Sequence, residues 1–333
     1  MTFRFERHLP TMALGAAAIL STAGLVLSAA QGPAARTPGD YPLSPDSLAQ
    51  PDVPKGRLIG PTLFRSRVIR GTVRQYWIFV PAQYSASRPA NVLVFQDGQR
   101  AINPQGLLRV PQVLENLIHK KDIPVTIGIF ITPGQRGDEY PAALGTSNPN
   151  NRAAEYDSLS DAYTRFIVDE MLPEVARSYT LTTSAAGRAI GGASSGAICA
   201  FTVAWQRPDV FRNVISLIGS YTSIGFRPAS DGQPMQPGGD LYPTLIRKTP
   251  IRPIKIFLQD GSADLDNDHG NWFLANQQMV AALAYANRAA DMRQIAGPRY
   301  EVRHEWGDGA HSDAHGGALL PDILRWIWND AAK

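Results

Sequence analysis

The sequence has almost no cysteine. Cys199 stands alone among 333 residues, so no disulfide can close within the chain. That absence says nothing against export, because a chain this long buries most of the surface its unfolded form exposes and folds without staples. A strong charge of either sign is also missing. The formal net charge is +3 and the basic residues are scattered rather than clustered. The electrostatic footprint of a nucleic-acid binder is therefore absent, and no nucleic-acid partner is expected. There is no low-complexity tract and no internal repeat, so the composition is that of an ordinary globular protein.

The N-terminal segment carries Arg4 and Arg7 ahead of an apolar stretch, residues 12–30, rich in Ala, Leu and Gly and ending in Ser28-Ala29-Ala30. Small residues at that end are what a signal peptidase reads, so residues 1–30 are expected to be a signal peptide of an exported, periplasmic or secreted protein. The alternative is an N-terminal membrane anchor, since the stretch approaches spanning length. After signal cleavage no stable membrane insertion is expected, and the lack of a nearby cysteine excludes a lipoprotein anchor. Residues 31–55, rich in Pro, Gly, Ser and Asp, read as a linker or arm, and residues 56–333 as the main folded domain.

From residue 56 the pattern is that of an α/β domain. Residues 63–68 and 75–80 read as strands around Arg70-Gly71-Thr72, and residues 91–95 and 124–131 as short apolar strands buried on both faces. Helical spacing marks residues 110–121 and 161–179. Further strands are expected up to Ser194 and at 214–218, 254–258 and 299–306, with helices at 196–206, 272–286 and 319–328. Strands alternating with helices predict a mostly parallel central sheet covered on both faces. The stretch 133–155 is polar and too long for a plain connection, which in compact domains usually means a functional or mobile loop.

The sharpest motif is Gly192-Ala193-Ser194-Ser195-Gly196, a G-x-S-x-G between a strand and a helix. A serine hydroxyl is a poor nucleophile until a neighbouring base takes its proton. A tight strand-to-helix turn exposes that hydroxyl, and small flanking residues let the backbones pass. Ser194 is the expected nucleophile, with Ser195 the rival; the Ser195 amide, at a helix N-terminus, is an expected oxyanion donor. In such hydrolases the acid and then the histidine follow in the chain. Four aspartates, Asp260, Asp264, Asp266 and Asp268, follow the strand at 254–258, and Asp264 is the leading candidate. An acidic run also suggests calcium, but this one lacks the glycine and distal glutamate of an EF-hand loop, so neither metal nor cofactor is expected. Gly307-Asp308-Gly309-Ala310-His311 follows the outer strand, and its glycines let a loop carry His311 back to the serine. His315 competes with it; His304, His119 and His269 read as strand, helix-surface and pocket-rim residues. Gln99, in the loop after the strand at 91–95, is the candidate second oxyanion donor.

At these residues the chain resembles the esterase D/enterochelin-esterase-like family of α/β-hydrolases. The likeness rests on Phe95-Gln96-Asp97-Gly98-Gln99, Arg152-x-x-Glu155-Tyr156-Asp157, Gly191-Gly192-Ala193-Ser194-Ser195-Gly196 and Gly309-Ala310-His311. It implies the α/β-hydrolase fold, a catalytic serine and late histidine at Ser194 and His311, and an acid in the 260–268 loop. The chain departs from cytoplasmic enterochelin esterases, in which a separate domain precedes the catalytic one. The wider superfamily includes feruloyl and acetyl-xylan esterases and mycolyl transferases. The expectation is thus a serine esterase acting on a small-molecule or carbohydrate-linked ester, siderophore-type, feruloyl or acetyl. An acyltransferase of the same fold and a non-catalytic ligand-binding homologue are the alternatives. Arg152, Glu155, Tyr156, Asn267, His269 and Trp272 are the candidate substrate contacts, with Trp272 as a flat face for a ring. The alternative for Arg152, Glu155 and Trp272 is a structural role.

Overall fold

The computed structural model describes residues 39–230 and 232–329; the expected signal peptide, residues 1–30, lies outside them. The main strands are β1 (Arg57–Arg65), β2 (Thr72–Val80), β3 (Asn91–Gln96), β4 (Thr126–Ile131), β5 (Arg188–Ala193), β6 (Asn213–Leu217), β7 (Lys255–Ala263) and β8 (Glu301–Ala310). They form one twisted sheet in the order β1-β2-β4-β3-β5-β6-β7-β8, with a two-residue strand, Gln135–Arg136, pairing beside β2. β1 and β2 are antiparallel to their neighbours, and every pair from β4 onward is parallel. This is the α/β-hydrolase fold.

The period-2 geometry of a strand sends successive side chains to opposite faces. In β3, Val92 and Val94 face one core while Leu93 and Phe95 face the other. The first core is closed by the helical residues 162–176, by α3 (Ser195–Gln206), α4 (Tyr242–Lys248) and α5 (Trp272–Met292). The second is closed by α1 (Val110–Lys120) and α6 (Asp313–Trp328). The segment 162–176, α2 here, differs from a plain helix: its ladder widens to a π-type stretch over Phe166–Met171, just ahead of Pro173, which has no N–H to give.

Several other segments differ from the sequence reading. Strand β8 runs to Ala310, four residues past the expected end, through a bulge between Gly307 and Ala310. Gly261 of β7 makes this possible, since a Cβ there would lie 2.1 Å from the Gly309 carbonyl oxygen. Residues 219–253, which show no clear periodicity, fold into short turns and α4.

The described part of the arm, residues 39–55, lies against α1 and α6. Asn116 donates to the carbonyls of Asp46 (2.7 Å) and Leu48 (2.8 Å), and the Asp46 carboxylate sits between Lys120 and Arg325. Further along, Tyr41 stacks on His315 with ring centroids 4.1 Å apart and donates to Asp308 Oδ1 (2.6 Å), in the segment that leads to His311. Burial alone would raise the Asp46 pKa, but hydrogen bonds and charge from Lys120 and Arg325 outweigh it and hold the group below its usual 3.8. A depressed carboxylate stabilises the fold above its unfolded pKa, and that contribution is lost as pH falls through the folded value. Asp46→Asn is therefore expected to cost about 1–2 kcal/mol at pH 7. The gap to wild type should close below about pH 4, which urea melts at pH 7 and pH 3 would measure.

Candidate active site

Strand β5 ends at Ala193 and α3 begins at Ser195, so Ser194 alone makes the turn. Its backbone is at φ 58°, ψ −125°, a left-handed conformation that a non-glycine residue holds only under constraint. The Ser194 N–H donates to the Leu217 carbonyl (2.9 Å), and the Ser194 carbonyl accepts from Ala197 (3.0 Å), Ile198 and Ser220 (both 3.3 Å). Gly192 lets the helix cross the strand, because a Cβ there would lie 2.6 Å from the Gly196 backbone.

On this turn Ser194 Oγ is 2.8 Å from His311 Nε2, and His311 Nδ1 is 2.5 Å from Asp264 Oδ1. The three residues come from the ends of β5, β7 and β8, as parallel strands sharing one C-terminal edge allow. Asp264 also accepts from the Leu265 N–H at 2.5 Å. Burial by itself would raise Asp264. Hydrogen bonds from His311, Asp260 and the Leu265 amide outweigh it and keep the group ionised.

The rival residues are engaged elsewhere. The Ser195 side chain is buried beside Asp157. His315 bonds Gln259 (3.0 Å) beneath Tyr41. His304 packs beside Trp306, and His119 is exposed at the end of α1. Asp266 and Asp268 are exposed. Asp260 is fully buried at the end of β7's apolar run and accepts from the Gly261 N–H (2.7 Å) and from Asn276 Nδ2 (2.6 Å). Desolvation, with the adjoining Asp264 carboxylate, pushes Asp260 well above the usual carboxylate range, so it keeps a proton.

The candidate substrate contacts divide. Asn267 and His269 are exposed and line a cavity of about 500 Å3 together with Tyr221, Thr222, Asp240 and Asn271. Arg152 is partly exposed, but its guanidinium is held by Asp97 in a two-point contact at 3.0 and 2.8 Å. Glu155, Tyr156 and Trp272 are buried and give no surface to a ligand. Glu155 pairs with buried Arg74 at 2.8 and 3.1 Å and also accepts from Gly134 N–H and Asn151. The Tyr156 hydroxyl accepts from the Asp97 amide (3.4 Å), and Trp272 donates to Ser220 (3.0 Å). The expected ring platform at Trp272 is thus corrected: the ring is buried, edge-on to His311 at 5.8 Å between centroids and hydrogen-bonded to Ser220. Gln99 lies in the short helical turn Gly98–Ala101 that follows β3. The first amides of such a turn have no carbonyl partner within it and face outward.

A family model of esterases, "Esterase: Putative esterase", matches residues 70–326. The chain belongs to this esterase family. Among solved structures, the enterobactin esterase of Shigella flexneri with enterobactin superposes with a TM-score of 0.63 at 21% identity, covering 87% of this chain and 63% of its own. The ferulic acid esterase of Anaeromyces mucronatus in complex with ferulic acid gives 0.59 at 15% identity, covering 84% and 93%. An uncharacterized protein of Bacillus subtilis, YbbA, is 25% identical over 152 residues, 44% of this chain and 57% of its own length. The chain thus spans less than two thirds of the enterobactin esterase and of the Bacillus protein. At these identities the structural likeness carries the fold.

Sequence reasoning missed Ser220, whose hydroxyl lies 3.2 Å from Ser194 Oγ. The available signal was its place three residues beyond the last residue of β6, Leu217, on the edge where open α/β sheets build their sites.

The two neighbouring acids separate cleanly by experiment. Asp264→Asn is expected to lower kcat by about 10³–10⁴ by supporting the wrong imidazole tautomer and removing the charge. Asp260→Asn, which replaces a carboxyl that is already neutral, should keep kcat within roughly tenfold. Steady-state kinetics of both variants, with folding checked by thermal melt, reads the difference. The reverse ranking would make Asp260 the acid.

Proposed function

We propose that the chain is a serine carboxylic ester hydrolase working through an acyl-enzyme on Ser194. The observation that carries this reading is the unbroken hydrogen-bonded series Ser194, His311, Asp264 on a strained strand-to-helix turn. His311 Nε2 takes the Ser194 proton as Oγ bonds to the acyl carbon. The resulting oxyanion meets the amides of Ser195 and of the Gln99 turn. Collapse of that intermediate expels the alcohol, which takes the proton from His311. Water then gives its proton to His311 and attacks the acyl-enzyme; Ser194 leaves with that proton, and the acid is released. Asp264 fixes the tautomer with Nδ1–H pointing at itself and balances the imidazolium.

The reading of substrate class is an ester with a bulky polar portion. It is supported by the cavity at Tyr221, Asn267 and His269, within the size range of small-molecule sites. The names of the structural relatives point toward siderophore-type and feruloyl esters. Export is part of the proposal: residues 1–30 would be removed as a signal peptide, leaving an arm and the catalytic domain. Among the described residues no helix is long and apolar enough to cross a membrane. N-terminal sequencing of the protein recovered from periplasm or medium tests this, and an intact Met1 on membrane-bound protein would favour the anchor.

Ser194→Ala is expected to reduce turnover of a p-nitrophenyl acyl ester by about 10⁴-fold or more, since members of such a triad act as a unit. Undiminished turnover in a folded variant would remove the assignment. A panel of enterobactin-type, feruloyl and acetyl-sugar esters ranked by kcat/KM then selects the substrate class.

A further inference from the structure

Ser220 and Trp272 form a buried hydrogen-bonded pair directly behind the nucleophile. Ser220 is fully buried, and Trp272 is almost so. Trp272 Nε1 lies 3.0 Å from Ser220 Oγ, and Ser220 Oγ lies 3.2 Å from Ser194 Oγ. Their backbones are also tied, through the Ser220 N–H to the Ser194 carbonyl at 3.3 Å.

The direction of each bond follows from valence. An indole nitrogen can only donate, so Ser220 Oγ accepts from Trp272. A hydroxyl has one hydrogen, and the polar side-chain atom that remains within reach of Ser220 among the described residues is Ser194 Oγ. Ser194 sends its own hydrogen to His311 Nε2, because His311 Nδ1–H faces Asp264. All donors therefore run one way, from Trp272 through Ser220 and Ser194 to His311.

We infer that Ser220 is a further catalytic residue, its hydroxyl donating to Ser194 Oγ as negative charge develops there, and that Trp272 is the positioning residue that sets this direction. The inference rests on the reading of Ser194 as nucleophile. In the resting state the bond is long beside the usual 2.7–2.8 Å of a hydroxyl pair, so it stabilises the neutral serine little. Hydrogen bonds to an anionic oxygen shorten and strengthen. Oγ carries partial negative charge twice, when His311 withdraws its proton in acylation and when Oγ leaves the acyl carbon in deacylation. An interaction stronger in those states than in the ground state raises kcat and leaves KM alone.

Trp272 occupies one of the two Ser220 lone pairs with its N–H, so the hydroxyl hydrogen is turned from the indole toward the acceptor at Ser194. Asn271 caps α5 by accepting from Leu274 N–H (2.9 Å), which seats Trp272 as the first helical residue. The tryptophan side of the site is therefore placed by an element that brings no residue of the triad.

The test is a double-mutant cycle on a p-nitrophenyl ester, run beside Ser194→Ala. Ser220→Ala should lower kcat by about 10–100-fold with KM within about twofold, somewhat less than the loss of one oxyanion donor. Trp272→Phe, which keeps an aromatic ring but removes the donor, should lower kcat by roughly 3–10-fold. In the Ser220→Ala background Trp272→Phe should have a much smaller effect, because its hydrogen-bonded route to the nucleophile is gone and only the edge contact with His311 remains. Thermal melts check folding, and fluorophosphonate labelling rates of Ser194 should fall in parallel with kcat. Wild-type kcat in Ser220→Ala, a change confined to KM, or independent multiplying losses in the double variant would each overturn the inference. A Ser194→Ala enzyme that still turns over would instead remove the reading beneath it.

Discussion

The site depends on one backbone conformation, the left-handed turn at Ser194. A non-glycine residue at φ 58° and ψ −125° costs on the order of 1–3 kcal/mol and persists only where its surroundings leave no alternative. Here the surroundings are a nearly fully buried strand on one side and a nearly fully buried helix on the other. Leu217 takes the Ser194 N–H, and three amides converge on its carbonyl. Relaxing the turn would break bonds to β6 and α3 together, so the strain is held in place by the central sheet itself. The result is a hydroxyl fixed above the C-terminal edge of the strands, with the β7 and β8 ends close enough to supply Asp264 and His311.

Around that turn, charge is handled by neutralisation or close pairing. Two carboxyl groups adjoin behind His311, and desolvation decides which one ionises. Asp264 has His311 and the Leu265 amide to stabilise a negative charge, whereas Asp260 lies deeper and keeps its proton. One negative charge, not two, is thereby presented to the imidazole. On the other side of the site, the buried Arg74–Glu155 pair is surrounded by Gly134 and Asn151, which donate to Glu155, and by Thr72, which accepts from Arg74. Removing one member of such a pair would strand a charge in the interior. This pair anchors the long loop 133–155, and Asp97 ties Arg152 beside the turn after β3. Residues that look like substrate contacts by type are thus spent on holding the loop and the site's edge.

The sequence by itself determined the fold class and singled out Ser194, His311 and Asp264, which the structure brings within hydrogen-bonding distance, because both have local signatures. Short apolar runs alternating with amphipathic stretches specify a covered parallel sheet. A glycine-flanked serine between strand and helix, a carboxylate after one late strand and a histidine after the next follow from how such a sheet must end. Side-chain exposure had no such signature. Trp272 and Tyr156 are aromatic residues near the site in sequence terms, yet packing buries both. The choice between Asp260 and Asp264 turned on which carboxyl reaches His311, and Ser220 became visible only when β6 came to lie beside β5. Those outcomes belong to the tertiary structure alone, because desolvation and hydrogen-bond direction depend on neighbours brought together from segments 26 to 117 residues apart.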